Sequence, residues 1–340
     1  MALMRRSLLA GAVLVALASL LTWFTWRQLH PTVRAPKTSG FPLRVVRAYR
    51  PGQFWVELAE RQGWFQEAGL HVELAEPAPD DAGFAALAAG TADAQAGALF
   101  DLIAARLHDA DLVMIVNCDQ SFGADGIVSR ADIESVQGLR GKRIGVARGT
   151  AAEFLLSVVL QRRGLRLQDV APVDLRGQAL VDGFAYGDVD AVVAAEPLLT
   201  EVVRRGSGRR LFDTSELPGV AADGYAVRRE LIERRAADAQ AFVAVWHRAA
   251  TFLREHPEEA FAILAEAYQK RPGAIQAFAQ RFALPGLREN LTAFAYARGF
   301  ESLHGAARHI NAFLIQQGAT DQELDSTEFL DAQFLRALRF

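Results

Sequence analysis

The sequence is poor in cysteine, and this scarcity limits its chemistry. Cys118 is the only cysteine among 340 residues, so no disulfide can form within the chain. It follows the apolar run 112–116, which predicts a small buried thiol and not a reactive one. A site built from several cysteines is excluded for the same reason.

The sequence also lacks an excess of either charge sign and any familiar catalytic or metal motif. Lys and Arg number 37 and Asp and Glu number 40, a net charge of −3 that provides no basic excess for nucleic-acid phosphates. We find no H-E-x-x-H, no G-x-S-x-G, no P-loop and no G-x-G-x-x-G after a strand, and the seven histidines are scattered. These absences predict a protein that catalyses no reaction, needs no metal or cofactor, and has no nucleic-acid partner.

An apolar segment near the N-terminus indicates the compartment. Arg5 and Arg6 precede an almost uninterrupted apolar run at residues 8–26. At 1.5 Å per residue, a helix of this length comes close to the ~30 Å thickness of the bilayer core. No small-x-small cleavage site follows the run. The pattern predicts an uncleaved signal anchor at residues 1–30, with a cleaved signal peptide as the alternative.

The charges beside this segment predict its orientation. The positive-inside rule keeps Arg5 and Arg6 in the cytoplasm, which places the rest of the chain at the periplasmic face of the inner membrane. Residues 31–42 contain three prolines and predict a linker between the anchor and the folded part.

From residue 43 onward, short β-rich runs alternate with helical segments, which is typical of an α/β protein. Two such series are joined by predicted crossings near residues 127–130 and 220–224, and beyond residue 227 the chain is helical. The pattern predicts two lobes with a hinge and a ligand cleft between them. Lobe 1 is assigned residues 43–128 and 223–340, whose C-terminal helices cover its outside. Lobe 2 is assigned residues 129–222.

Four phrases carry a resemblance to a known family. They are residues 58–74 (LAERQGWFQEAGLHVEL), 85–97 (AALAAGTADAQAG), 138–156 (GLRGKRIGVARGTAAEFLL) and 187–197 (GDVDAVVAAEP). In this order they resemble segments of the periplasmic binding proteins for nitrate, taurine, alkanesulfonates and thiamine-precursor pyrimidines. Arg140 and Arg143 stand where that family usually has lysines.

The resemblance implies a type II periplasmic-binding fold, with two mixed sheets flanked by helices, a hinge of two crossings and a helical C-terminal part. It also implies an extracytoplasmic solute-binding protein. Such a protein captures a sulfonate, a nitrate-like anion or a related organic molecule and delivers it to the permease and ATPase of an ABC transporter. The alternative is a membrane-tethered sensor of the same fold that signals to a partner protein, with an aminopyrimidine as a candidate ligand.

Candidate ligand-binding residues lie in loops at the carboxyl ends of strands and at helix N-termini, where N–H groups are unpaired. They are Arg50, Gln53, Phe54, Trp55, Gly97, Ala98, Ser121, Gly123, Ala124, Asp125, Thr150, Ala151, Glu196 and Asp223. Thr150 is a natural N-cap whose helix start offers N–H groups to a sulfonate, nitrate or phosphate oxygen. The alternative for Phe54 and Trp55 is a position in the hydrophobic core. The alternative for Glu196 is that it only stabilises the start of a helix.

The sign of the ligand's charge stays open at this stage. If Glu196 and Asp223 point into the cleft, an amine or an amidine-like heterocycle fits. If helix N-termini dominate the site, a small anion fits. The frequency of anion binders in the family favours the anion.

Overall fold

The computed structural model describes residues 38–76 and 84–338. The predicted anchor at residues 1–30 and the first part of the predicted linker lie outside the described residues. No helix within the described ranges is both long and apolar enough to cross a membrane.

The described chain forms eleven strands and fourteen α-helices. The strands are β1 (Leu43–Val46), β2 (Val72–Ala75), β3 (Ala94–Ala98), β4 (Leu112–Ser121), β5 (Asp125–Ser129), β6 (Arg143–Val146), β7 (Ala171–Asp174), β8 (Ala191–Ala195), β9 (Arg209–Asp213), β10 (Ala222–Arg228) and β11 (Phe282–Ala283). The helices are α1 (Phe54–Arg61), α2 (Trp64–Glu67), α3 (Ala85–Ala88), α4 (Leu99–Arg106), α5 (Ala151–Arg162), α6 (Gln178–Tyr186), α7 (Leu198–Gly206), α8 (Arg229–Arg234), α9 (Ala236–Glu255), α10 (Pro257–Ala267), α11 (Pro272–Ala279), α12 (Leu287–Ala293), α13 (Leu303–Gln316) and α14 (Gln333–Arg336).

The first sheet has six strands in the order β11-β4-β10-β3-β1-β2. Strand β1 pairs in parallel with β2 and β3, whereas β10 is antiparallel to both β3 and β4. Strand β4 is buried along nearly its whole length, as its apolar run 112–116 requires. After the second crossing the chain returns to this sheet as β10.

The second sheet has five strands in the order β7-β6-β8-β5-β9. Strand β6 is parallel to β7 and β8, and β5 is antiparallel to β8 and β9. Because β5 belongs to this sheet, the chain first crosses between the sheets at residues 122–124. The predicted crossing at residues 127–130 is therefore wrong, since the apolar stretch there pairs with β8 as a strand.

Aromatic packing joins a C-terminal helix to the first sheet. The ring of Trp55 on α1 lies 5.2 Å from that of Tyr225 on β10 and 5.0 Å from that of Phe242 on α9, in edge-to-face geometry. The second lobe has an apolar cluster of its own, in which Phe184 and Val192 are fully buried. The main cluster also contains second-lobe residues such as Ile144 and Phe154, so apolar packing continues from one lobe to the other.

Asn290 on α12 completes the edge of β4. Its Oδ1 accepts a hydrogen bond from the Asn117 N–H at 2.8 Å, and its Nδ2 donates to the Asn117 carbonyl at 2.9 Å. Both residues are fully buried, so no water replaces these bonds. One side chain thus forms the two hydrogen bonds that a short neighbouring strand would form with this edge.

We expect Asn290→Ala to lower the free energy of unfolding by about 2 to 4 kcal/mol, because it leaves a buried donor and a buried acceptor of Asn117 unpaired. Equilibrium unfolding in urea measures the change. Thr292→Ala on the exposed side of the same helix is the control and should cost at most about 0.5 kcal/mol. Equal losses from the two substitutions would contradict this role of Asn290.

Candidate ligand-binding cleft

Two crossings between the sheets form the hinge, and hydroxyl groups tie them together. The Oγ of Ser121, at the end of β4, lies 2.7 Å from the Oγ1 of Thr214, which follows β9. The Gly123 N–H donates to the same Thr214 oxygen at 2.9 Å, and the Ser121 N–H donates to the Ala221 carbonyl at 2.9 Å. The first crossing and the return are thereby held side by side.

A cleft of about 390 Å³ lies against this hinge and is lined from both sheets. Its volume is in the range of small-molecule sites. Eight of the fourteen sequence-predicted residues line it: Arg50, Gln53, Gly97, Ala98, Ser121, Asp125, Ala151 and Asp223. These residues come from six different segments, which the fold brings to one place.

Four other candidates do not line the cleft and instead support the fold. Phe54 and Trp55 lie in the hydrophobic core, which is the alternative expected for them. Gly123 and Ala124 build the first crossing, where the Gly123 N–H bonds to Thr214 and the Ala124 carbonyl accepts from the Glu196 N–H at 2.7 Å.

Thr150 is the N-cap of α5, as the sequence predicts. Hydrogen bonds within the protein already use N–H groups at this helix start that an anion would need. The Thr150 Oγ1 accepts from the Ala152 N–H at 3.2 Å and donates to the Ala147 carbonyl at 2.7 Å. The Gly149 N–H donates to the Glu153 carboxylate at 2.8 Å. This helix start therefore offers fewer free N–H groups than the sequence indicates.

Glu196 also has an intramolecular role. Its carboxylate accepts from the Thr200 N–H at 3.1 Å and from the Thr200 hydroxyl at 2.9 Å, and it lies 3.4 Å from Arg210. It stabilises the start of α7, and Ala195 lines the cleft in its place.

The sequence analysis missed several lining residues. Asp119 is an acidic residue within the buried strand β4, and that unusual position is the signal that could have identified it. Asp101 lies in the first turn of α4, where an acidic residue commonly serves only the helix. Ala306 and Ile310 of α13 also line the cleft, so the C-terminal helices do more than cover the outside of the first lobe.

The base of the cleft combines one cation with buried carboxylates. An Arg50 guanidinium nitrogen lies 2.5 Å from the Asp223 carboxylate. The Gly52 N–H donates to Asp119 Oδ2 at 2.9 Å, and the Asp119 side chain is nearly inaccessible to solvent. A Cβ atom on residue 52 would overlap this carboxylate, so the close approach requires glycine.

Burial and mutual repulsion change the acidity of these groups. Burial raises the pKa of Asp119 to about 8, with a further rise from Asp223 and an opposing effect from Arg50. The same causes raise the pKa of Asp101 to about 6. Burial also raises the pKa of the Cys118 thiol well above its ordinary value, in agreement with the predicted buried, unreactive cysteine.

These pKa values predict how stability depends on pH. A carboxyl group whose pKa rises on folding stabilises the protein at low pH, and this contribution is lost as the pH rises through the folded pKa. We expect Asp119→Asn to gain stability relative to the unliganded wild type between pH 5 and 8, by up to about 1.4 kcal/mol per pH unit. Urea unfolding at several pH values measures the difference. The control is Asp132→Asn at an exposed site, and a constant difference for Asp119→Asn would contradict the buried, protonated carboxyl group.

Comparison of the sequence with known proteins adds the family. Residues 55–260 match the sequence model of the family described as NMT1/THI5 like. A protein of Bacillus subtilis (strain 168) named "Putative aliphatic sulfonates-binding protein" is 28% identical over 211 residues, which cover 60% of this chain. The match spans 63% of that relative, which is less than two thirds of its length.

Solved structures with the same fold include a binding protein and an enzyme. The periplasmic aliphatic sulphonate binding protein SsuA from Escherichia coli has a TM-score of 0.69 at 20% identity, covering 86% of this chain and 97% of that chain. The desulfurization enzyme DSZB has a TM-score of 0.59 at 16% identity, covering 86% of this chain and 98% of that chain. At these identities the likeness shows the two-lobed periplasmic-binding fold alone.

The predicted resemblance and the predicted two-lobed fold are thus confirmed. The B. subtilis relative is named as a binding protein and not as an enzyme, in agreement with the prediction that this chain catalyses no reaction. Since the family's sequence model matches more than half of its residues, the chain belongs to the NMT1/THI5-like family.

Proposed function

We propose that the chain is an extracytoplasmic solute-binding protein that captures a small molecule between its two lobes and delivers it to the permease of an ABC transporter. The observation that carries the proposal is the cleft of about 390 Å³, which both sheets line beside a hinge of two crossings. A ligand that contacts both lobes favours the closed arrangement, and this closure is how such a protein presents its cargo.

The relatives support the same role. The B. subtilis relative is named for binding aliphatic sulfonates, and the E. coli structure is that of a periplasmic sulphonate binding protein. Delivery to a permease and its ATPase stays a proposal for this chain, whereas the class of ligand depends on the charges of its own cleft. Attachment to the inner membrane through residues 1–30 is likewise a prediction from the sequence.

A sensor that signals to a partner protein would use the same cleft, so uptake distinguishes the two roles. Deletion of the gene should abolish uptake of the bound compound if the chain serves a transporter. Unchanged uptake together with a lost transcriptional or signalling response would favour the sensor.

We expect a cleft-filling substitution to abolish ligand binding. A ligand at 100 times its Kd adds about 2.7 kcal/mol of stability, which raises Tm by several degrees. In a thermal-shift screen of sulfonates, taurine, nitrate, aromatic acids, aminopyrimidines and amines, Ala151→Trp should remove the shift of any hit, because Ala151 lines the cleft at the start of α5.

Ala236→Trp is the matched control, since Ala236 begins α9 at an exposed position. Mass spectrometry of the released compound after prolonged incubation should show it unchanged. A shift that survives Ala151→Trp would place binding outside the cleft, and a chemically altered compound would indicate an enzyme.

A further inference from the structure

The charges that line the cleft are mostly negative. Among the described residues, four aspartates and one arginine line it: Asp101, Asp119, Asp125, Asp223 and Arg50. The arginine is already paired, since its guanidinium lies 2.5 Å from the Asp223 carboxylate. The three other carboxylates have no cation of their own at this surface of the described chain.

Two of these carboxylates have unused hydrogen-bonding capacity. Asp119 is 2% exposed, and only its Oδ2 accepts a hydrogen bond from the described residues, that from the Gly52 N–H. Asp101 has no hydrogen bond or ion pair with any residue that the structure describes, although it lines the cleft. Carboxylate oxygens with few hydrogen-bond donors in a cleft are costly, so a donor that enters the cleft would find acceptors in place.

The groups that could hold an anion are largely occupied. The N–H groups of Gly149 and Ala152 at α5 bond to Glu153 and Thr150, and the N–H of Gly52 bonds to Asp119. The basic side chains of Arg148 and Arg176 do not line the cleft. A sulfonate at the base would meet carboxylates with few free donors to offset the repulsion.

We propose that the cleft takes an organic cation, a compound with a primary ammonium or an amidinium group, and that Asp101 and Asp119 bind this group. The inference rests on the proposed function, because it names the ligand class for the same cleft. An ammonium group has three donors and an amidinium has a planar set, and both form strong charge-assisted hydrogen bonds with carboxylates.

The apolar side chains that line the cleft indicate the chemistry of the uncharged part of the ligand. Phe100 and Phe154, whose ring centroids lie 6.1 Å apart, line the cleft together with Val220, Phe282 and Ile310. These side chains provide an apolar wall for a short alkyl or aromatic body. A ligand with a cationic end and an apolar body matches both parts of the cleft.

Proton release on binding distinguishes this ligand class from an anion. The other ionisable groups that face the cleft carboxylates are Arg50, Cys118, Tyr225 and Glu196. Burial raises the pKa of the Tyr225 phenol well above its ordinary value, so this group stays protonated. Arg50 stays charged, the raised pKa of Cys118 keeps its thiol protonated, and Glu196 is paired with Arg210. A bound cation therefore displaces protons from the aspartates whose pKa burial raises, Asp101, Asp119 and Asp125.

The test compares probes of matched shape and opposite charge on the full-length chain. Benzamidine is paired with benzenesulfonate, and butylamine with butane-1-sulfonate, in thermal-shift and calorimetric titrations at pH 6, 7 and 8. We expect the two cations to bind and the two sulfonates not to bind. Cation affinity should rise with pH, by up to about tenfold per pH unit for each proton displaced.

Asp101→Asn should weaken benzamidine binding at least about 30-fold, because it removes a charge partner from a largely buried site. Asp132→Asn, which changes an exposed aspartate outside the cleft, should leave the affinity unchanged. Asp119→Asn provides a second variant if the first does not fold, as judged by circular dichroism and Tm without ligand.

Each other outcome has a distinct meaning. Binding of the sulfonates and not of the amines would overturn the cation inference and leave the proposed function in place. Amine binding that neither aspartate variant weakens would overturn it as well. If none of the four probes binds, the cation inference fails, and the wider screen with Ala151→Trp then decides the proposed function separately.

Discussion

The ion pair between Arg50 and Asp223 is the interaction on which the base of the cleft depends. It joins the loop after β1 to the beginning of β10, at the point where the chain returns from the second sheet. The positive charge of Arg50 also stabilises the negative charges of Asp119 and Asp101, whose burial would otherwise be still less favourable. Without that guanidinium, four carboxylates would share one poorly hydrated space.

The cost of this arrangement explains several features around it. Gly52 is required because the Asp119 carboxylate occupies the space of a side chain. The Ser121 and Thr214 hydroxyls hold the two crossings together without adding another charge. Residues that commonly hold ligands in a cleft, such as a capping threonine, are here bonded within the protein. Stability and ligand binding thus compete for the same few polar atoms.

Local signals in the sequence predicted much of the fold. Thr150 predicted the start of α5 as its N-cap. The first crossing was placed a few residues late, because the polar turn leads at once into β5 and its partner β8 lies some sixty residues further along the chain. Pairing over such distances leaves little trace in a single local window.

The site was predicted less completely, for a related reason. Loop positions such as Arg50 and Asp223 follow from the alternation of strands and helices, and both line the cleft. Whether a cap such as Thr150 or an acidic residue such as Glu196 is free or already bonded depends on neighbours that the sequence does not reveal. The contribution of Ile310 depends on how α13 docks, which no motif near it indicates.

The place of β10 between β3 and β4 has a consequence for biosynthesis. Strands β3 and β4 leave the ribosome long before β10, yet neither pairs with the other in the finished sheet. The five strands of the second sheet, by contrast, are all made before residue 222 appears. The second lobe can therefore assemble while the first is still an unfinished sheet with a gap at its centre.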